Sequence, residues 1–213
     1  MEINLKTIAY DEQQPCWPAG GRHILAQFDD DSIVVYQAFR PAIGRFAAEK
    51  GFFGGPFSYD RMSWIKPNFL WMMYRSGWGA KEGQEVVLAV RLKRDFFDRI
   101  LAAAVPSSFD ENLFPERAEW SAAVAASDVR RQWDPDHDPT GAPLRRRAVQ
   151  LGLRGAALAE YGRAALVEIE DISAFVAEQR ANVGSPALFV PEERIYRSAA
   201  DATAARLGLS PLK

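Results

Sequence analysis

Residues 67–76, PNFLWMMYRS, constrain the fold more than any other stretch, because as a helix they are apolar on almost every side. Nothing breaks the pattern until Gly77, and Pro67 fits a first helical turn. Leu70, Met73 and Tyr74 share one face, Phe69 and Met72 the adjoining one, and Trp71 lies nearly opposite. A helix of this kind has no side it can leave in water, so the rest of the chain must wrap it. Trp71 is expected in the core.

The wrapping material is legible as strands. SIVVYQAF (32–39) and EVVLAVRL (85–92) are apolar, β-branched runs of strand length. HILAQF (23–28) and SIVVYQAF flank the triplet Asp29, Asp30 and Asp31, which predicts a hairpin with an acidic turn. Pro41 opens AIGRFAAEK as a short helix, and DFFDRILAAAV and EWSAAVAAS have helical character. VRRQW and RRAVQLGL predict two strands separated by the loop DPDHDPTGAP. GAALAEYG is then a short helix, ALVEIE a strand, and DISAFVAEQRANV a helix that Asp171 can cap. The irregular interleaving favours an α+β class. Residues 1–185 are expected to form a single domain with a curved mixed or antiparallel sheet packed by helices around one core. Residues 186–213 are expected as a C-terminal extension packing on it or trailing from it.

Composition narrows the function mainly by exclusion. The 213 residues carry 26 Lys and Arg against 28 Asp and Glu, so no global field favours nucleic acid and any anion site must be local. The single cysteine, Cys16, cannot form an internal disulfide and suits a reducing compartment. No leader pattern and no apolar stretch of bilayer length is present, which predicts a cytoplasmic protein without a membrane partner. Neither G-x-x-x-x-G-K-[ST] nor a strand-to-helix G-x-G-x-x-G occurs, and His23 and His137, without G-x-S-x-G, give poor support for a hydrolytic triad. One cysteine and two distant histidines do not make a structural zinc site. Asp134, Asp136 and Asp138 alternate as oxygen ligands of a hard cation would, but Pro139 replaces the glycine of a calcium loop and the closing glutamate is missing. That segment reads as a solvated turn, with His137 exposed.

The candidate site lies around the central helix. Trp64, Trp71 and Trp78 recur every seven residues, with Arg61, Lys66, Arg75 and Lys81 threaded among them. A cation beside apolar surface needs water or an anion, and guanidinium groups are forks for phosphate. Arg61, Ser63, Trp64 and Lys66 precede the first helical turn, where free N–H groups and the dipole favour an anion. A phosphate is therefore expected there, with Arg75 nearby. Tyr36, Gln37 and Arg40 form a second set at the end of a strand, with Arg40 the expected second clamp, and Gln150, polar within AVQLGL, is the expected hydroxyl contact. The alternative is that Trp and Met fill an irregular core while the cations lay their stems across it.

SIVVYQAFRP, RMSWIKPNFLWMMYRSGWGAKEGQ, QWDP and RRRAVQLGL together resemble an uncharacterised family catalogued as domain of unknown function 4291, over roughly positions 5–180. That resemblance brings no established activity. A weaker likeness is to ADP-ribosyltransferase-like domains. It implies NAD bound in a cleft, a nicotinamide stacked on an aromatic, and a late-strand residue holding a ribose hydroxyl. The counterparts by order are Arg40 or Tyr36, then Ser63 and Trp64, then Gln150. Those domains carry glutamate where this chain has Gln150, which points away from transfer to protein side chains and toward nucleotide-type or nucleic-acid acceptors, or no catalysis. Three readings follow. The first is an NAD-dependent ADP-ribosyltransferase-like enzyme with Gln150 and Arg40 catalytic, and Tyr36, Arg61, Ser63, Trp64, Lys66 and Arg75 holding NAD or another nucleotide. The second is a noncatalytic module for RNA, DNA or a modified nucleotide, with Trp64, Tyr74 and Trp78 stacking bases. The third is a structural or interaction protein.

Overall fold

The computed structural model describes residues 4–198 and 201–211. In chain order the elements are β1 (Thr7–Ala9), α1 (Tyr10–Gln13), β2 (Gly21–Arg22), β3 (Ile24–Ala26), β4 (Ser32–Phe39), α2 (Pro41–Lys50), β5 (Ser63–Ile65) and α3 (Phe69–Ser76). There follow β6 (Val86–Lys93), α4 (Arg94–Ala103), β7 (Val105–Pro106), α5 (Arg117–Ala126), β8 (Val129–His137), β9 (Pro143–Leu153) and α6 (Gly155–Tyr161). The chain ends with β10 (Leu166–Asp171), α7 (Ser173–Ala181), β11 (Phe189–Pro191), β12 (Arg194–Tyr196) and α8 (Asp201–Leu207).

The expected α+β class holds. An antiparallel sheet in the order β10-β6-β4 meets a mixed sheet in the order β2-β9-β8-β7, to which β5 adds along β9. The junction is a reciprocal backbone pair: Tyr36 N–H donates to the Lys66 carbonyl at 2.7 Å, and Lys66 N–H to the Tyr36 carbonyl at 3.2 Å. Through it the strands curl into a half-barrel. Alternation along β4 and β6 sends their side chains to two sides. Ile33, Val35, Leu88 and Val90 face an inner core with α2, α4 and α6, while Val34, Tyr36, Val87 and Ala89 face α3 and α7. Both faces being covered explains why these strands read as unbroken apolar runs. It also replaces the expected single core with two apolar layers.

Four local expectations are corrected. The acidic turn forms, with Asp29 Oδ1 accepting from Asp31 N–H and Ser32 N–H, and the hairpin ladder ends just beyond it, with Val34 N–H donating to the Gln27 carbonyl at 2.9 Å. Apart from the Phe28–Ile33 bridge, β3 pairs with β12 and β4 with β6. Pro67 lies outside α3; Asn68 is the N-cap, its Oδ1 accepting from Trp71 N–H at 2.7 Å. The segment from Asp134 to His137 belongs to β8 rather than to a loop. His137 is buried, its ring stacked on Tyr74 at 3.5 Å between centroids and 9° between planes.

The C-terminal segment is woven in. β11 pairs with β1, β12 with β3, and Leu207 enters the inner core. Arg131 and Trp133 donate to the carbonyls of Arg206 and Leu207, so the buried guanidinium closes the C-terminal end of α8. Among the described residues no helix is long and apolar enough to cross a membrane.

Candidate functional site

A cavity of about 490 Å³ opens where β4, β5, α3 and β9 approach one another. Five of the expected residues line it: Ser63, Trp64, Lys66, Arg75 and Gln150. β5 and the residue after it carry the first three, the last turn of α3 carries Arg75, and the middle of β9 carries Gln150. The sheet junction at Tyr36 and Lys66 thus sets the site, because it fixes the backbone from which the Lys66 side chain departs.

Lys66 is the least ordinary residue here. It is only 5% exposed, and among the described residues its ammonium group has no hydrogen-bond or ion-pair partner. Burial, reinforced by the charge of Arg75 and opposed by Asp134, holds the amine down at about 8. Arg75 is exposed and likewise unpaired among the described residues. Two cations without an ion-paired carboxylate among the described residues therefore share one concavity, with Asp134 acting on Lys66 only at longer range.

The neutral polar groups around them are tightly arranged. Gln37 donates through Nε2 to Ser63 Oγ at 2.8 Å and to the Trp64 carbonyl at 3.0 Å. Its Oε1 accepts from the buried Tyr161 hydroxyl at 2.6 Å. Both amide hydrogens are committed, so the Ser63 hydroxyl hydrogen is left for something in the cavity. Across the site, Gln132 Nε2 and Gln150 Nε2 each donate to one oxygen of Asp134 at 2.8 Å. Trp64 stands opposite Gly152 in the β5–β9 ladder and packs directly on it. A Cβ at Gly152 would lie 2.6 Å from Met62 Sδ and 3.0 Å from the indole.

The remaining expected residues do not line the cavity. Tyr36 is fully buried and packs edge-on against Phe69 at 5.4 Å, so it supports the site from behind and cannot stack on a ligand. Arg40 is the exposed N-cap residue of α2, and Arg61 is exposed ahead of β5; each adjoins a lining residue, Phe39 and Met62, without contributing its own side chain. The N-terminus of α3 is also closed to a phosphate. Glu193 already occupies it, Oε1 accepting from Phe69 N–H at 2.6 Å and Oε2 from Asn68 Nδ2 at 3.1 Å. That carboxyl is 1% exposed, and burial pushes it well above its ordinary range despite the Phe69 bond. The α3 N-terminus is therefore not open to the anion expected there.

The aromatic residues do not form a common stacking track. Trp64 lines this cavity and Trp78 lines another, against α7, while Tyr74 is engaged by His137. Trp78 sits in a left-handed run, φ being 58°, 55° and 70° at Gly77, Trp78 and Gly79. It is held there by a bond from its Nε1 to the Pro139 carbonyl at 3.1 Å. Of the alternating acids, Asp136 pairs with Arg146 at 2.6 Å and Asp138 organises the turn through Thr140 and Ala142.

Gln132 is a contributor not singled out from the sequence, while Gln37 and Asp134 were noted there without these roles. The only signal for Gln132 was that it is polar in mid-strand, as Gln150 is, and their register could not be read from the chain alone. No curated protein matches the chain. The model of the family described as domain of unknown function, DUF4291, matches residues 23–196, a span containing the whole cavity lining and Glu193, and the chain belongs to that family.

Proposed function

We propose that the protein binds a phosphorylated nucleotide-type ligand in this cavity. The observation that carries the reading is the buried side chain of Lys66, whose ammonium has no hydrogen-bond or ion-pair partner among the described residues, beside the likewise unpaired guanidinium of Arg75. A buried charge without a partner is costly, and a ligand anion is the group that would compensate both. Trp64 on Gly152 supplies a flat apolar wall for a base or nicotinamide, the Ser63 hydroxyl supplies a donor, and Gln150 supplies a contact for a sugar hydroxyl. The volume suits one nucleotide or part of a dinucleotide rather than a length of strand. Calorimetry with pyrophosphate, ADP and NAD tests the reading. Lys66→Met and Arg75→Ala are each expected to weaken binding at least tenfold, about 1.4 kcal/mol. Parental affinity in both variants would overturn it.

NAD-dependent ADP-ribosyl transfer is the finer reading. It is supported by Gln150 lying on a late strand in the same cavity as the two cations. In such chemistry the ribose becomes cationic as nicotinamide leaves, and groups that fix the ribose and the pyrophosphate act on that state. Release of nicotinamide from NAD, lost in Gln150→Leu, is the expected signature. The nucleic-acid reading is weakened by the separation of Trp64, Trp78 and Tyr74, and binding of oligonucleotides in preference to mononucleotides would restore it.

A further inference from the structure

Gln132 and Gln150 are directly opposite one another in the antiparallel β8–β9 ladder. Side chains so placed leave the sheet about 5 Å apart on the same face. Both line the cavity, and both amides are tied to the same carboxylate, Gln132 to Asp134 Oδ1 and Gln150 to Asp134 Oδ2. A carboxylate only accepts hydrogen bonds, so each glutamine must turn its NH₂ toward Asp134. This fixes the orientation of two side chains that could otherwise flip. Among the described residues nothing donates to either Oε1. Each amide therefore retains one carbonyl acceptor and one N–H, at neighbouring points of the wall that also carries Lys66.

We infer that Asp134 locks Gln132 and Gln150 into a paired amide edge that selects ligands carrying a vicinal diol, as in the ribose of a ribonucleotide. A hydroxyl both donates and accepts, so each of two adjacent hydroxyls can use the C=O and the N–H of one glutamine. A deoxyribose has only one such group and leaves one amide unmatched, the situation in which polar sites discriminate most strongly. Asp134 is a positioning residue in this arrangement, and Gln132 and Gln150 determine specificity. The inference rests on the nucleotide reading above, and it extends the site to Gln132 and Asp134.

The test is calorimetry on the folded protein with pyrophosphate, ADP and 2′-deoxy-ADP. The wild type is expected to bind ADP at least tenfold more tightly than 2′-deoxy-ADP. In Asp134→Asn the new amide can accept from only one glutamine and donates to the other, which turns one amide over. The ratio should then fall to about threefold or less, and because the lost carboxylate charge also acts on Lys66, pyrophosphate affinity changes in this variant as well. Gln132→Leu should lower the ratio equally without touching Asp134, and there pyrophosphate affinity should stay within about twofold of wild type. Equal binding of ADP and 2′-deoxy-ADP by the wild type overturns the inference, as does an undiminished ratio in both variants. In either case bound pyrophosphate leaves the anion site standing. Failure of all three probes to bind the wild type overturns both readings.

Discussion

Replacing Lys66 by methionine is expected to make the protein more stable while weakening the proposed anion site. The side chain is 5% exposed, and its ammonium makes no hydrogen bond or ion pair among the described residues, so methionine keeps most of the volume and forfeits no bond. Holding the amine at about 8 rather than its ordinary 10.5 disfavours the charged form by about 3 kcal/mol. The sign follows from proton counting. Below about pH 8 the amine is protonated in both states, and folding bears the whole cost. Between about 8 and 10.5 the folded protein has lost the proton and the unfolded chain keeps it, so stability rises with pH and the cost disappears. At pH 7 the variant should therefore be more stable by about 2–3 kcal/mol, a rise in Tm of about 4–12 °C for a chain of this size. The advantage should shrink as pH is raised toward about 10. Differential scanning calorimetry across that range measures both. A variant less stable than wild type at neutral pH, or an advantage that does not change with pH, would refute the reasoning. This is the stability cost that a preformed charged site imposes on a fold.

Two further substitutions probe the surroundings of the cavity. Glu193→Ala leaves Phe69 N–H and Asn68 Nδ2 buried without their acceptor. At about 1–3 kcal/mol for each orphaned donor, urea unfolding should show a loss of about 2–6 kcal/mol, and an unchanged midpoint would contradict the capping role. Gly152→Ala drives a methyl into Met62 and Trp64. It should cost about 1–3 kcal/mol in stability and weaken ADP binding more than pyrophosphate binding, because the indole moves while the cations stay; equal weakening of both ligands in titration calorimetry would remove Trp64 from the base wall.

What the chain revealed beforehand depended on how local the cause was. The burial of α3 and the strand nature of β4 and β6 follow from composition within single segments. Lys66, Arg75 and Gln150 could be singled out because a cation or amide among apolar neighbours is a local anomaly, but their convergence with Ser63 and Trp64 on one cavity was not readable. The misplacements share a different origin. Tyr36, Arg40 and Arg61 depended on which way each side chain points, and a one-residue step along a strand reverses that. Gln132 could not be matched to Gln150 because the β8–β9 register shifts between Pro135 and His137. His137 is buried against Tyr74 and Trp71, both from a helix distant in sequence. The closure of the α3 N-terminus depended on a carboxylate more than a hundred residues away, which no window of sequence contains.

That last contact bears on the order in which the molecule takes shape. The partner of the Phe69 amide lies 124 residues further along the chain. Glu193 is itself held from the N-terminal side, its N–H donating to Gln13 Oε1 at 3.0 Å and its carbonyl accepting from Trp17 Nε1 at 2.9 Å. During synthesis from the N-terminus, the helix with the greatest need for burial is made early and its end is sealed late. Closing a loop of that length is slow compared with forming the neighbouring strands and helices. A growing polypeptide that has reached residue 192 already contains every residue that lines the cavity, yet lacks the clasp that joins both ends of the chain to α3.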